Sequence, residues 1–249
     1  MSKLQGPNVM NKENKGHTMH VMEIYRSVQG EGTLLGVPTT FVRFFACNLR
    51  CSWCDTKYSW SVREGGTWET LTPHEVAGRV HELGARHVVL TGGEPTLQKE
   101  LPTLAGLLKA CGHHLTIETN TTIYPLDAVP LIDLWSLSPK LSSAGENYLR
   151  YPIIEQFLAG LRPEQQQWKF VVRDDADEQL LRALLNRYPV FCERQLPIIL
   201  QPEGDNATPN YPVALGQLTE RVRDRFWDDY YVRVLPQMHV IIWGRRRWV

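Results

Sequence analysis

Short apolar segments alternate along the chain with longer segments in which apolar residues recur every three or four positions. The short segments are rich in Val, Ile, Leu and Phe and are often apolar at successive positions. This pattern is typical of strands that are buried on both faces of a parallel sheet. Eight segments predict strands: Met22–Val28, Thr39–Phe45, His87–Thr91, Leu115–Thr119, Leu134–Ser138, Trp168–Val172, Ile198–Gln201 and Tyr231–Leu235.

The segments between these strands carry apolar stripes at helical spacing. Thr72 and Glu75 form a predicted capping box, with Pro73 at the first helical position. Repeated strand–helix units place helices outside a parallel sheet through right-handed crossovers. Too few units are visible for a closed eight-fold barrel, so we predict an α/β fold: a partial, open parallel β/α barrel. The stripes are Val76, Val80 and Leu83, then Leu101, Leu104, Leu108 and Cys111, then Leu180, Leu181, Leu184, Leu185 and Tyr188.

One domain is predicted over residues 21–249, because no internal repeat and no Pro/Gly-rich linker divides the chain. The first twenty residues are polar and lack the apolar run of a secretory signal. We therefore predict that residues 1–20 are a disordered N-terminal extension.

Charge and cysteine content narrow the function. Lys and Arg together number 27, as do Asp and Glu, so the net charge is zero. This balance disfavours a protein whose main role is to grip nucleic acid or an anionic membrane, and no apolar stretch is long enough to cross a bilayer. Three of the five cysteines are crowded together, which favours thiolate ligands in a reducing cytoplasm over a secreted disulfide framework.

Polar residues lie at the ends of six of the predicted strands or just after them. Ligands of parallel α/β folds bind at the carboxyl ends of the strands, so these residues predict one site at one rim of the sheet. The segments are the cysteine loop after Phe45, Thr91–Pro95, Glu118–Asn120, Ser138–Lys140, Gln201–Glu203 and Gln237–His239.

The cysteine loop has the spacing C-x3-C-x2-C at Cys47, Cys51 and Cys54. Three thiolates this close can bind three irons of a cubane [4Fe–4S] cluster and leave the fourth iron open for chemistry. The alternatives are a zinc knuckle and a fully ligated ferredoxin-type site. Zinc normally takes four ligands, and no second C-x2-C pair or nearby histidine pair exists.

These residues resemble the radical S-adenosylmethionine (SAM) family and, more narrowly, the 7-carboxy-7-deazaguanine synthase family. The resemblance runs from about Met22 to Val249. Around Arg63–Thr70 the chain departs from it, since a Gly-Gly pair and Trp68 replace a helix signal. The segments that carry the resemblance are Ser27–Gly32 (SVQGEG), Phe41–Trp60, Thr91–Pro95 (TGGEP), Glu118–Asn120 (ETN), Ser138–Lys140 (SPK) and the tail QMHVIIWGRRRWV.

The resemblance implies a carbon–nitrogen lyase of 7-deazapurine (queuosine precursor) biosynthesis. The expected reaction converts 6-carboxy-5,6,7,8-tetrahydropterin to 7-carboxy-7-deazaguanine with loss of ammonia. The expected cofactors are a [4Fe–4S] cluster, SAM used catalytically, and Mg²⁺. The resemblance also implies a radical SAM domain over residues 21–249, with a C-terminal segment that closes over the substrate. A homodimer and an external electron donor of the flavodoxin or ferredoxin type are expected as well.

Cofactor contacts follow from the same resemblance. Thr56 corresponds to the family position that ligates Mg²⁺ with a hard oxygen. Trp53 is expected near the adenine and Asp55 to orient the loop. Gly93 and Glu94 are expected at the SAM amino group. Further SAM contacts are implied for Glu118, Ser138, Pro139, Lys140, Gln201, Pro202, Glu203 and Gly204.

Substrate contacts are expected elsewhere. Glu31 can accept two hydrogen bonds from a 2-amino-pyrimidinone edge; a polar turn is the alternative for its QGEG segment. Arg43 lies in an apolar strand and must meet an anion, either the substrate carboxylate or a structural acid. His239 is a substrate contact or a core histidine. No protein acid or base is assigned. The implied set is Val28, Gln29, Gly30, Glu31, Arg43, Thr91, His239 and the terminal carboxylate of Val249.

Three other classes compete with this interpretation. A glycyl-radical activase shares the cluster motif but acts on a protein and needs no pterin pocket. A non-enzymatic Fe–S or zinc module would need a fourth ligand and not TGGEP. An RNA-binding factor of tRNA modification is disfavoured by the zero net charge.

Overall fold

The structure is a computed structural model that describes residues 17–145, 148–204 and 211–244. The described chain forms one sheet with helices around it. The strands are β1 Met19–Val28, β2 Pro38–Phe44, β3 Glu69–Leu71, β4 His87–Gly92, β5 His114–Thr119, β6 Leu134–Leu137, β7 Gln166–Val171, β8 Ile198–Gln201 and β9 Val232–Val234. The helices are α1 Pro73–Leu83, α2 Leu101–Ala110, α3 Tyr151–Gly160, α4 Asp175–Arg187, α5 Val190–Glu193, α6 Tyr211–Arg221 and α7 Met238–Trp243.

The sheet is open, as predicted, and its strand order is β3-β1-β2-β4-β5-β6-β7-β8-β9. From β2 to β9 all neighbours are parallel. The exceptions are β1, which pairs antiparallel with β2 and with β3. The predicted parallel sheet is therefore confirmed from β2 to β9, and β1 is antiparallel because the short connection between β1 and β2 allows only a hairpin.

The N-terminal edge of the sheet also differs from the prediction. Strand β1 begins at Met19, which is fully buried and pairs with Leu71 of β3. Residues 19 and 20 of the predicted extension therefore belong to the sheet, while residues 1–16 lie outside the described residues. Sequence reasoning missed β3, a three-residue strand that begins at the end of the segment lacking a helix signal.

Successive residues of the central strands point to opposite faces of the sheet. The outer face packs under the helices and forms the apolar core: Val42, Phe44, Val88, Leu90, Leu115, Ile117, Trp135, Leu137, Trp168 and Phe170. The intervening residues lie on what we call the inner face. Near the carboxyl ends of the strands they include Arg43, Thr91, Glu118 and Lys169, which line a cavity.

Two further findings concern the helices. The predicted capping box of α1 is confirmed: the backbone N–H of Glu75 donates to Oγ1 of Thr72 (3.3 Å), and the Thr72 backbone N–H donates to Oε2 of Glu75 (2.7 Å). In the described ranges, no helix is both long and apolar enough to span a bilayer.

Candidate active site

The cavity lies at the carboxyl ends of the parallel strands, with the cysteine loop as one wall. Cys47, Cys51 and Cys54 line it together, and all three are half-buried free thiols. Arg50 braces the loop, because its guanidinium donates to the carbonyls of Cys47 (2.6 Å) and Leu49 (2.7 Å). The three sulfur ligands that the sequence predicted therefore face one space.

N–H donors surround two of these sulfurs. Sγ of Cys47 lies 3.4 Å from the Leu49 backbone nitrogen and 3.8 Å from Nδ2 of Asn120. Sγ of Cys54 lies 3.3 Å from Nε1 of Trp60. Hydrogen bonds to sulfur are among the features by which proteins tune iron–sulfur clusters. Within the described ranges no three His, Cys, Asp or Glu side chains converge on a single ion, so the fit to a metal centre rests on this loop and its donors.

Glycine at position 93 lets β4 lie directly against the cysteine loop. A Cβ added to Gly93 would lie 2.1 Å from the Ala46 carbonyl oxygen and 3.0 Å from Cβ of Cys47. The backbone N–H groups of Gly93 and Glu94 donate to the carbonyls of Phe44 (3.1 Å) and Ala46 (2.8 Å). Any larger residue at position 93 would push the ligand loop out of place.

Glu94 lies behind the cavity wall. Its fully buried carboxylate accepts hydrogen bonds from the backbone and hydroxyl of Thr96, from the hydroxyl of Thr119 and from the backbone of Asn120, at 2.7–3.0 Å. Burial nevertheless raises the pKa of Glu94. The structure shows this side chain joining the ends of β4 and β5; a contact with the SAM amino group stays a prediction.

Glu118 connects two predicted substrate residues. Its carboxylate accepts from Oγ1 of Thr91 (2.9 Å) and from Nε2 of Gln29 (3.1 Å). Oε1 of Gln29 in turn accepts from the backbone N–H of Glu31 (3.1 Å). The loop after β1 is thereby fixed to the ends of β4 and β5, which places the QGEG segment over the cavity and not in a solvent-facing turn.

Glu31 is held by Lys169, which the sequence analysis did not select, and by Gln237, which it placed at a strand end without a role. Its carboxylate pairs with Nζ of Lys169 on β7 and accepts from Nε2 of Gln237 (2.9 Å). Burial alone would raise the pKa of Glu31, but the positive charge of Lys169 and the electrostatic effect of His239 hold it well below its usual range. The side chain is therefore an anion at the cavity.

Arg43 has a structural acid as its partner. Nε donates to Glu23 of β1, and Nη2 donates to the hydroxyl of Tyr25 (3.1 Å). Although burial opposes it, the neighbouring Tyr25, Tyr58 and Glu23 raise the pKa of the Arg43 guanidinium. The structural-acid alternative is thus observed, and the same guanidinium also lines the cavity.

The C-terminal segment reaches the cavity through α7. The backbone N–H of Met238 donates to the Gly30 carbonyl (2.9 Å), and a Cβ added to Gly30 would lie 2.8 Å from Nδ1 of His239. His239 lines the cavity and is half-buried, so it is not a core histidine. The prediction for Val249 lies outside the described residues.

The cysteine loop also contributes Trp53, whose ring is buried and whose Nε1 donates to Oγ of Ser143 (3.0 Å). The Lys140 ammonium lies 5.6 Å from the centre of this ring and donates to Oγ of Ser138 (2.9 Å). An aromatic face next to a point charge and a hydroxyl suits a nucleoside with a charged tail.

Comparisons with known proteins bear on this geometry. The family model described as the radical SAM superfamily matches residues 41–135. The 7-carboxy-7-deazaguanine synthase of Bacillus subtilis is 31% identical over 246 residues, covering 92% of this chain and 98% of the relative. That of Thermoplasma acidophilum is 35% identical over 231 residues, covering 91% and 98%.

The chain belongs to the 7-carboxy-7-deazaguanine synthase family.

A solved structure agrees with the family assignment. The crystal structure of QueE from Escherichia coli matches with a TM-score of 0.63 and 26% sequence identity, covering 92% of this chain and 99% of that chain. Streptococcus suis SuiB bound to S-adenosylmethionine matches with a TM-score of 0.55 at 14% identity, which shows a shared fold alone. Both matches agree with the fold described above.

Most of the site residues predicted for this member of the 7-carboxy-7-deazaguanine synthase family line one cavity. Those that line it are Val28, Gln29, Gly30, Glu31, Arg43, Cys47, Cys51, Trp53, Cys54, Asp55, Thr56, Thr91, Gly93, Glu118, Ser138, Lys140, Gly204 and His239. The described residues that do not line it are Glu94, Pro139, Gln201, Pro202 and Glu203, which are buried beside it.

Sequence reasoning missed other cavity residues of this family member. The argument used for Arg43 would also have found Lys169, because a cation within an apolar strand must meet an anion. Gln237 was recognised at a strand end but given no role. Tyr25 and Phe41 stack with ring centres 5.3 Å apart and form an aromatic wall. No sequence pattern marked that wall, since aromatic residues in strands are more often part of the core.

Proposed function

We propose that the chain converts 6-carboxy-5,6,7,8-tetrahydropterin to 7-carboxy-7-deazaguanine with release of ammonia. Membership of the family supports the reaction. The observation that carries the proposal is that the cysteine loop and the Glu31 carboxylate face the same cavity. A cluster site beside a carboxylate that can accept two hydrogen bonds fits a guanine-like ring brought to a radical source.

The cysteine loop holds the cluster in this proposal. Cys47, Cys51 and Cys54 would bind three irons, and the N–H groups near Cys47 and Cys54 would stabilise negative charge on sulfur. Trp53, Ser138 and Lys140 bind SAM. When bound, the cluster and SAM would supply the radical chemistry that the reaction needs at C6 of the pterin.

The protein's own residues orient the pterin. Glu31 accepts hydrogen bonds from the 2-amino-pyrimidinone edge, and the Tyr25–Phe41 wall packs against the planar ring. Arg43 lies on β2 and meets the substrate carboxylate, held in place by Glu23. His239 closes the cavity from α7.

Three further elements belong to the proposal. Thr56 lines the cavity next to Cys54, and its hydroxyl supplies one hard oxygen ligand to Mg²⁺. The working form is a homodimer in the cytoplasm. The external electron donor is of the flavodoxin or ferredoxin type.

The test is anaerobic reconstitution of the full chain followed by turnover. We expect about four irons per chain and consumption of the carboxylated pterin with no net loss of SAM. Glu31→Ala is expected to weaken pterin turnover more than SAM cleavage. Stoichiometric SAM consumption with the pterin untouched would refute the substrate assignment and leave a radical SAM enzyme of another specificity.

A further inference from the structure

Lys169 is a lysine in the middle of a strand whose neighbours form the core. Trp168 and Phe170 on either side are fully buried on the outer face of β7. The Lys169 side chain points the opposite way, to the inner face, where it lines the cavity and is 13% exposed. Burying an ammonium is costly unless a partner compensates for its lost hydration, so its position calls for a physical reason.

The contacts of Lys169 supply one. Its Nζ pairs with Oε2 of Glu31, while Nε2 of Gln237 donates to Oε1 of the same carboxylate at 2.9 Å. Each carboxylate oxygen thus receives one described protein donor. A carboxylate has about four acceptor positions in all, so both oxygens keep capacity for a donor that arrives from the cavity.

We propose that Lys169 is a positioning residue that, together with Gln237, keeps Glu31 charged and fixed so that both oxygens can accept the paired N–H groups of a 2-amino-pyrimidinone ring. This inference rests on the proposed function and extends it to how the ring is selected. A neutral carboxyl would present one O–H donor. The neutral carboxyl would then match a ring edge that presents one acceptor and one donor, and not the ring edge with two donors.

The charges around Glu31 come from several elements and act in a defined direction. Burial favours the neutral carboxyl, and Lys169 is the largest opposing charge, ahead of His239. Removing the ammonium leaves burial as the dominant effect, so the pKa of Glu31 would rise. The other titratable groups that act on Glu31 or on Lys169 are His239 of α7, Tyr211 at the start of α6, Glu118 of β5 and Asp55 of the cysteine loop.

The experiment compares wild-type and Lys169→Met protein, both anaerobically reconstituted. Equilibrium affinity for 6-carboxytetrahydropterin and for SAM is measured from pH 6.5 to 8.5. We expect pterin binding about 10- to 100-fold weaker in the variant at pH 6.5, the usual range for a hydrogen bond to a charged group. Relative to wild type, the loss should shrink by up to about tenfold per pH unit as Glu31 ionises again, with SAM affinity unchanged.

Two variants provide the controls. Lys109→Met removes a lysine whose Nζ lies 2.8 Å from both carboxylate oxygens of Asp133, away from the cavity, and should bind pterin like wild type at every pH. Lys169→Arg keeps the charge and should recover part of the affinity with no new pH dependence.

Each outcome decides the matter. Equal pterin affinity of Lys169→Met and wild type across this pH range would overturn the inference. A fall in kcat with unchanged affinity would make Lys169 a group that acts on the reacting atoms instead. Loss of SAM binding as well would indicate misfolding, and Gln237→Leu then decides: it should weaken pterin binding without pH dependence, and unchanged binding would overturn the network. A wild-type protein that binds no pterin refutes the proposed function itself.

Discussion

The inner face of the sheet has two polar regions with opposite properties, although both lie on the same strands. At the amino ends of the parallel strands, Thr39, His87, Thr116, Ser136 and Gln167 form what we call the inner polar layer. At the carboxyl ends, four residues further along β2 and β4, Arg43 and Thr91 line the cavity. The period of two along each strand places polar side chains in both regions, so alternation alone does not distinguish structure from function.

The difference lies in how the polar groups are satisfied. In the inner polar layer, Nδ1 of His87 lies 2.7 Å from Oγ1 of Thr39 and Nε2 lies 2.8 Å from Oγ1 of Thr116. Gln167 bonds to Ser136 (2.9 Å) and to the Thr33 backbone (2.7 Å). Buried groups that find their hydrogen-bond partners within the protein contribute to stability and leave nothing for a ligand.

The cavity region is built differently. Glu31 and Arg43 have protein partners, yet each also faces open space next to the cysteine loop. A buried charge that is paired on one side and open on the other is held in place for a ligand. The comparison therefore predicts that changes at the carboxyl ends alter chemistry and that changes at the amino ends alter stability.

The largest expected effect comes from Cys51→Ala. Losing one of three thiolates removes a ligand that cluster assembly requires, so iron content should fall and pterin turnover should drop to background. Iron analysis and turnover after anaerobic reconstitution measure this. Because Cys51 is half-buried in a loop, the free energy of unfolding of the metal-free chain should change little.

Cys192→Ala is the matched control. Cys192 is also a half-buried free cysteine, but it lies on α5 outside the cavity. This variant should retain iron and turnover. Full activity in Cys51→Ala would contradict the role of the cysteine loop.

A smaller effect, on stability alone, is expected from His87→Leu. The hydroxyl of Thr39 also donates to the Val37 carbonyl (2.8 Å), so it accepts from His87, and the Thr116 hydroxyl donates to the other ring nitrogen. Leucine leaves both hydroxyls without the imidazole partner, which should lower the free energy of unfolding by about 1–3 kcal/mol at pH 7.5. Urea unfolding of the metal-free chain measures the difference, and pterin affinity should be unchanged.

The same pair of proteins tests a pH dependence. Burial, aided by the charge of His114, lowers the pKa of His87 to about 4, whereas the unfolded value is about 6.5. The unfolded chain therefore binds the proton first, and stability present above pH 6.5 is lost as the pH falls towards 4. Wild type should lose about 2 kcal/mol more than His87→Leu between pH 7.5 and pH 5. Parallel losses in both proteins would show that His87 is not responsible.

The comparison also shows how far the sequence leads. Alternating strand and helix patterns predicted the open sheet and eight of its strands, because periodicity records burial directly. The cysteine spacing and the strand-end motifs predicted most cavity residues, because parallel strands all end at one rim. These features are local, and a single chain displays them.

What was missed depends on pairing between distant segments. Glu23 is invisible as a partner of Arg43 until β1 is placed antiparallel to β2. Lys169 and Glu31 are separated by 138 positions in sequence. The hydrogen bonds from Thr119 and Asn120 to the Glu94 carboxylate join the ends of β4 and β5, and no local pattern indicates them. Side-chain direction across a rim is set by tertiary contacts, which strand periodicity does not encode.

The smallest effect is expected from Gly30→Ala, which tests the closing segment over the cavity. The new Cβ would lie 2.8 Å from Nδ1 of His239 and 3.4 Å from its backbone nitrogen, so the His239 imidazole must move from its position at the cavity. The free energy of unfolding and the iron content should stay within error of wild type, while KM for the pterin should rise by a few-fold, in keeping with a loss of about 1 kcal/mol. Gly78→Ala on α1, where an added Cβ meets nothing within 4 Å, is the control and should leave KM unchanged. An unaltered KM in Gly30→Ala would mean that His239 and the QGEG segment do not enclose the substrate together. Their contact would then have a structural role only, like the contacts of the inner polar layer.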